Sequence, residues 1–402
     1  MKILIITQYF YPENFRVNTL AKELVKRGNE VTVLTGYPQY PKGRIYDGYG
    51  FDISYEKNWN GVDVERIKVK PRGSTPLGLF INCLTFVTEG YKWVKKCDVK
   101  YDAVYVFEVS PVTVGLPAIK YKEKFNTPVF FNVQDLWPEN VEEILGIHNK
   151  FIIGLINRIV DKIYNNSDKI LCASQGFVEN IANRGIDRRK LVFWPQFCES
   201  PDFENLVSPP IYSDEYFNIV FTGNIGDAQG LDLMMDVADS MRNHLVKWFL
   251  VGDGRAKERL LKIVEERKLK EQVVFIGRVS ETEANSYVRY ADCAYLSFKD
   301  SSLFDLTIPA KLQTYLSCGT PILGAVAGES AEIIETSGGG IVSNKNVDSI
   351  KIAVENMMHL DTEKKNNMKK GAINYFENNF SMDKLISELL SMMRTGYESF
   401  TD

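Results

Sequence analysis

Across 402 residues the chain has no Cys-x-x-Cys pair, no Asp-x-Asp triplet and only three histidines. The six cysteines (Cys83, Cys97, Cys172, Cys198, Cys293 and Cys318) are scattered, and His148, His244 and His359 lie far apart in sequence. This spacing argues against a structural zinc site and points to reduced thiols in a cytosolic compartment. The missing Asp-x-Asp removes a carboxylate pair that commonly holds a divalent metal, so chemistry without a metal is expected. No apolar run reaches the roughly 18 to 20 residues that span a bilayer. The opening run Met1–Thr7 stops at Gln8 without a small-residue cleavage site and reads as a first strand, not a signal peptide. A basic excess is lacking too: the net charge is -4, which leaves nothing to drive binding along a nucleic-acid backbone.

What is present is an ordinary globular composition, 45% hydrophobic and 25% charged, on a length that exceeds what one hydrophobic core usually serves. Lys2–Thr7 is apolar on both faces, as a parallel strand covered by helices must be. Val17, Leu20, Ala21, Leu24 and Val25 follow at helical spacing, Gly28 ends that helix, and Glu30–Thr35 gives a second strand. The unit is βαβ, with a right-handed crossover. Strand runs recur at 103–109, 129–133 and 169–173, each trailed by helical periodicity, so the first half reads as doubly wound α/β.

Between Phe193 and Tyr216 the pattern lapses into a Pro-, Ser- and acid-rich stretch that reads as a linker. It restarts at Phe217–Thr222, with further strands at 248–251, 273–276 and 321–324 and a capping box at Ser280 and Glu283. The expected organisation is a first domain over 1–200, a second over 201–380, and a closing helix over 381–402 that crosses back to the first. Two such domains face one another across a cleft, and ligands of open α/β sheets bind beyond the carboxyl ends of the strands.

Two segments carry the chemistry. In Phe221–Leu231 (FTGNIGDAQGL), Gly223, Gly226 and Gly230 lie between a strand and a helix start, where backbone amides and the helix dipole favour a phosphate. A strand-to-helix turn also uses glycine for steric reasons alone. In Thr307–Ile322 (TIPAKLQTYLSCGTPI), Pro309 suits the first helical turn and Gly319 with Pro321 ends the helix. Lys311 then falls in the first turn, where the dipole disfavours a cation unless an anion binds nearby. An exposed lysine is the bland alternative.

Together with YPENFRVNTLAKELVKRGNEVTVLTG and DLWPE (Asp135–Glu139), these segments resemble the retaining GT-B glycosyltransferases of family four, and most of all the bacterial capsule and O-antigen branch that includes N-acetyl-fucosaminyl transferases. The resemblance implies two Rossmann-like domains and transfer of a sugar, N-acetyl-fucosamine or another N-acetylated hexose, from a UDP-sugar to a lipid-diphosphate-linked saccharide. In the family, the glycine loop holds the donor diphosphate with an Arg and a Lys; here those positions are Asn224 and Gln229. Each phosphate contact then drops from roughly 1.5–3 kcal/mol toward about 1, with Lys311 and Arg278 left to supply charge. A glutamate pair seen in many members falls here on Leu306 and Thr314. The expected donor-binding set is Gly223, Asn224, Gly226, Gln229, Gly230, Arg278, Val279, Thr307, Pro309 and Thr314.

On the acceptor side, Glu13, Asn14 and Arg16 form the expected binding loop, and Lys311, Asp135 and Glu108 the expected catalytic set, although Asp135 has a helix cap ahead of Pro138 as its alternative and Arg16 an exposed helix-start residue. The implied mechanism is same-face attack with the leaving diphosphate taking the acceptor proton, the protein stabilising developing negative charge and no cofactor required. The segment 75–95, apolar between flanking lysines, is expected to lie at the inner face of the plasma membrane with Phe80 and Phe86 toward lipid, or else to be a buried helix. Two other readings stay open: a nucleotide-sugar epimerase on the same architecture, and a non-catalytic partner of another transferase.

Overall fold

Five consecutive buried side chains follow Lys2 in Lys2–Thr7 (β1), a pattern that only a strand covered on both faces accommodates. In the computed structural model, which describes residues 1–53, 55–73 and 75–401 and only the backbone of 144, 145 and 398–401, β1 pairs in parallel on either side, Ile3 opposite Val31 and opposite Ala103. The chain divides into two units, Met1–Trp194 with Ile386–Asp402, and Pro195–Leu385. The division falls six residues before the expected 200/201 boundary and gives the first unit the last helix only from Ile386 onward.

In the first unit β1 leads to α1 (Arg16–Lys26), β2 (Glu30–Thr35), β3 (Asn58–Trp59), β4 (Val62–Arg66), α2 (Pro76–Lys96), β5 (Ala103–Glu108), a 3-10 turn (Val112–Val114), α3 (Gly115–Phe125), β6 (Val129–Val133), α4 (Glu139–Leu145), α5 (Lys150–Asn166), β7 (Lys169–Cys172), α6 (Gln175–Asn183) and β8 (Leu191–Phe193). The sheet order is β3-β4-β2-β1-β5-β6-β7-β8, and among the described residues only the β3–β4 pair is antiparallel. From β1 the chain first moves one way to β2 and β4, then back past β1 to β5. With right-handed crossovers this puts α1 on one face and α2, α3, α5 and α6 on the other.

Helix α2 starts at a side-chain cap, Thr75 accepting from the Gly78 amide, with Pro76 in the first turn. Its buried stripe is Asn82, Phe86, Gly90 and Val94. Phe86 is therefore core, contrary to its expected place toward lipid, because it lies four residues from Asn82 and Gly90 on the inward face. Phe80 is exposed.

The second unit runs β9 (Phe217–Asn224), α7 (Leu231–Ser240), β10 (Val246–Asp253), α8 (Lys257–Glu266), β11 (Val273–Gly277), α9 (Glu281–Tyr290), β12 (Cys293–Ser297), α10 (Ser302–Asp305), α11 (Ala310–Cys318), β13 (Ile322–Ala325), α12 (Gly328–Ser337), β14 (Gly340–Val342), α13 (Val347–Met358) and α14 (Thr362–Asn379), and α15 (Met382–Thr401) closes the chain. Its all-parallel order, β11-β10-β9-β12-β13-β14, reverses direction between β9 and β12. One face of the sheet packs Leu231, Met234, Met235, Leu260, Val354 and Met357. The other packs Val288, Leu312, Leu316, Ile334 and Phe376. Ser280 caps α9 by accepting from the Glu283 amide, at 3.2 Å.

Candidate active site

The reversal of strand order beside β9 is where an open α/β sheet leaves room for a ligand at its carboxyl edge. The glycine loop stands there. β9 ends at Asn224, a 3-10 turn covers Asp227–Gln229, and Gly230 at φ 62° passes the chain into α7. The loop is locked to its neighbours by backbone. Ile225 donates to the Asp253 carbonyl (2.8 Å) and accepts from Ala256 (3.0 Å). A Cβ on Gly252, whose φ is 144°, would stand 1.9 Å from the Gly223 carbonyl oxygen, so that approach tolerates glycine alone. From the far side, the Ser297 hydroxyl donates to the Gln229 carbonyl (2.7 Å) and the Lys299 amide to Ala228 (2.9 Å).

Lys311 enters this loop. Its ammonium donates to Gln229 Oε1 and lies 3.8 Å from the centroid of the Phe221 ring. A Cβ placed on Gly223 would have Lys311 Cε as its nearest neighbour, at 3.9 Å. Burial pulls this ammonium from its ordinary 10.5 down to about 7, and among the described residues no carboxylate offsets the cost. Helix α11, which carries Lys311, is fixed to β9 by Tyr315, whose hydroxyl accepts from the Thr222 amide at 3.0 Å. The charge absent at position 229 of the loop thus arrives from a helix 82 residues further along.

The other donor-side expectations fare unevenly. Pro309 does not open the helix. With ψ at 143° it is the extended residue before Ala310, which puts Lys311 second in the helix. The Thr307 hydroxyl donates to the Leu303 carbonyl (2.8 Å) and that of Thr314 to Ala310 (3.3 Å), so both are engaged within their own turns. Arg278 is exposed at the carboxyl end of β11, two strands or roughly 10 Å of backbone from β9. Val279 packs against the core. Asn224 and Gly226 meet across the loop, a Cβ on Gly226 falling 2.8 Å from Asn224 Nδ2. Sequence reasoning passed over Gly252, Gly254 and Arg259. A Cβ on Gly254 would fall 2.3 Å from the Ile225 carbonyl oxygen. Arg259 ties Asp227 (3.1 Å) and Asp232, holds the Asp232 carboxyl below its usual range, and offsets one of these two negative charges beside the loop. The glycines of VGDG, at the end of a strand, were the available signal.

In the first unit two expected carboxylates turn inward. Glu13 is buried; one oxygen accepts from the Gln39 and Tyr40 amides (2.7 and 2.6 Å) and the other from Phe10 (3.3 Å). Burial raises its pKa. It braces two loops and does not present itself to an acceptor. Glu108 is wholly buried, its Oε2 accepting from the Gln134 and Asp135 amides (3.1 and 3.2 Å), and burial, with Asp135 beside it, pushes its pKa well up. This carboxyl acts on the backbone at 134–135, not on a reacting hydroxyl. Asp135 caps no helix; its Oδ2 accepts from the Ser110 amide (3.0 Å) and hydroxyl (2.6 Å). Asn14 is exposed, and Arg16 opens α1 without a hydrogen-bonding or ionic partner among the described residues. Unforeseen was a buried amide chain at the carboxyl ends of β1 and β2. Gln8 donates to Asn82 (2.9 Å) and Asn82 to Gln39 (3.3 Å), leaving Gln8 Oε1 and Gln39 Nε2 unpaired.

The class follows from these two sheets and from two family models that match in succession. The model described as Glycosyltransferase Family 4 matches residues 15–199 and that described as Glycosyl transferases group 1 matches 204–375. The chain is a glycosyltransferase of the GT-B fold. It is similar to the putative colanic acid biosynthesis glycosyl transferase WcaI of Escherichia coli (strain K12), at 22% identity over 79% of this chain and 82% of that protein. It is also similar to the probable glycosyltransferase WbjE of Pseudomonas aeruginosa, at 24% identity over 56% of this chain and 57% of that one. Among solved structures, Anabaena HepE in complex with UDP superposes with a TM-score of 0.71 at 14% identity, over 98% of this chain and 100% of that one.

Proposed function

We propose that the chain is a retaining, metal-independent glycosyltransferase that moves a sugar from a UDP-sugar to a lipid-diphosphate-linked saccharide in surface-polysaccharide assembly. The observation that carries this reading is the Lys311 ammonium held inside the glycine loop by Gln229 and Phe221. A cation buried without a carboxylate is costly unless an anion joins it. Loop amides, the start of α7 and Lys311 all favour one diphosphate there. As the sugar–oxygen bond breaks, negative charge grows on that diphosphate, and Lys311 stabilises it; the leaving oxygen takes the acceptor proton. UDP as the nucleotide is supported by the UDP in HepE, and the polysaccharide setting by the naming of WcaI. N-acetyl-fucosamine or another N-acetylated hexose is the sugar the capsule and O-antigen resemblance favours.

Residues 75–95 serve as a peripheral contact with the inner face of the plasma membrane. No described helix is long and apolar enough to cross a bilayer, whereas α2 exposes Leu77, Phe80 and Leu84.

The test is a thermal-shift panel of UDP, GDP, ADP and CMP with excess EDTA. A ligand at 100 times its dissociation constant adds about 2.7 kcal/mol, which raises the melting temperature by several degrees. Stabilisation by UDP, undiminished by EDTA, supports the reading; loss of the response with EDTA refutes metal independence, and no response to any nucleotide refutes the donor site. Turnover with purified protein, followed by NMR of the new anomeric centre, decides retention.

A further inference from the structure

Helices α2 and α5 lie on the same face of the first unit's sheet and both pack against the 3-10 turn 112–114. α2 leads into β5 and α5 into β7, both parallel strands, so each helix runs from the carboxyl edge of the sheet toward the amino edge. Their outward stripes repeat one pattern. On α2, Leu77 (67% exposed), Phe80 (63%) and Leu84 (51%) are followed by Lys92, Lys95 and Lys96. On α5, Phe151 (84%), Ile152 and Leu155 (53%) are followed by Arg158 and Lys162. Asp161, the acid between those two cations, is held by Arg184 at 2.8 Å. Glu89 on α2 is paired with Lys92 at 2.7 Å and Glu123 on α3 with Lys120 at 2.8 Å, while Glu142 and Glu143 belong to α4. A run of large apolar side chains left in water on two helices that flank α3, each backed by cations, is complementary to an anionic lipid surface: the apolar turns enter the acyl boundary and the cations meet the headgroups.

We propose that the first two turns of α5 are a second membrane anchor, across α3 from α2, and that the two together dock the carboxyl edge of the first unit on an anionic bilayer. One helix alone leaves the unit free to pivot about its axis; two parallel helices fix its orientation. The docked edge holds the buried amide chain of Gln8, Asn82 and Gln39, so a saccharide emerging from a lipid diphosphate meets that edge at once. This last step rests on the function proposed above; the docking itself does not.

The experiment is co-flotation of the full chain with phosphatidylcholine vesicles, with and without phosphatidylglycerol, using Phe151→Asp/Leu155→Asp on α5, Leu77→Asp/Phe80→Asp on α2, their combination, and Arg158→Glu/Lys162→Glu. All six side chains are exposed, and thermal melts check the folds. The expected result is a partition lowered roughly tenfold or more by either apolar pair, since each large side chain withdrawn from lipid is worth about a factor of ten, and abolished by the combination. Charge reversal should weaken binding to anionic vesicles alone, in a salt-dependent way. UDP binding and transfer to a water-soluble acceptor should not change, which separates failure of docking from failure of the enzymatic reading. Flotation of the α5 variant like the wild type overturns the proposal. So does a wild-type dimer that does not float and that Phe151→Asp turns into monomer, because the α5 face would then belong to a second copy of the chain.

Discussion

Replacing Lys311 with methionine keeps a chain of similar length over the Phe221 ring and removes the charge. In the free protein burial holds this ammonium at about 7, against 10.5 when unfolded. The unfolded chain therefore binds more protons than the native one between about pH 7 and 10.5, and stability rises with pH across that window. At pH 7 nearly the whole penalty, on the order of 4 kcal/mol, stands against the fold. Methionine lifts it but strands Gln229 Oε1, at a cost of about 1–3 kcal/mol. The net expectation is a variant that melts a few degrees higher at pH 7, with most of the gain gone by pH 10. Nucleotide binding should move the other way. Loss of a charge-assisted contact worth roughly 1.5–3 kcal/mol weakens UDP by about 10- to 150-fold. In the wild type the diphosphate draws the ammonium back up, so UDP binding takes up a proton above pH 7 and affinity falls as pH rises. Calorimetry in buffers of different ionisation enthalpy reads that proton, and thermal melts from pH 6 to 10 read the stability. Wild-type UDP affinity in the variant, or a lower melting temperature at pH 7, would refute the reasoning.

Glu108 has a raised pKa, so its favourable contribution is complete below its unfolded value, near 4.5, and is lost as pH rises through the folded one. Glu108→Gln should therefore gain melting temperature at pH 8 and little at pH 4, which melts at the two pH values will show. Gly252→Ala forces a Cβ onto the Gly223 carbonyl and should cost several kcal/mol in chemical denaturation or abolish UDP binding. Phe86→Asp buries a carboxylate in the first unit and should prevent folding, whereas Phe80→Asp on the same helix should melt within a degree or two of wild type; circular dichroism on both distinguishes them.

Strands with long apolar runs, such as ILII in β1 or VYVF in β5, announced themselves because parallel strands under helices have no polar face to confuse the reading. Shorter strands did not. β12 (Cys293–Ser297) went unseen, although Ser297 at its end is what ties the Gln229 carbonyl in place. The site was half legible. Lys311 stood out through a local misfit, a cation at a helix start, but its partner Gln229 is 82 residues away, and no local pattern carries that. Glu13 and Glu108 misled for the same reason. A carboxylate at a strand end looks the same in sequence whether it faces an acceptor or binds the amides of a distant loop, and Glu13 takes those of Gln39 and Tyr40, 26 and 27 positions on.

The last helix changes how the molecule must be made. From Ile386 onward α15 belongs to the first unit. Arg27 of α1 donates to Ser387 (2.8 Å), and a Cβ on Gly396 would touch Phe130 of β6 at 3.0 Å. A ribosome finishing Trp194 has therefore made nearly all of that unit but not its final piece, which follows only after the whole of the second. At 5–20 residues per second the wait is roughly 10 to 40 s. During it the first unit exposes the groove that α15 will fill, while the second folds on its own sequence alone. Chaperone capture on nascent chains should accordingly concentrate on the first unit, and a stop codon at position 386 should leave the second unit's UDP site intact while the first unit unfolds.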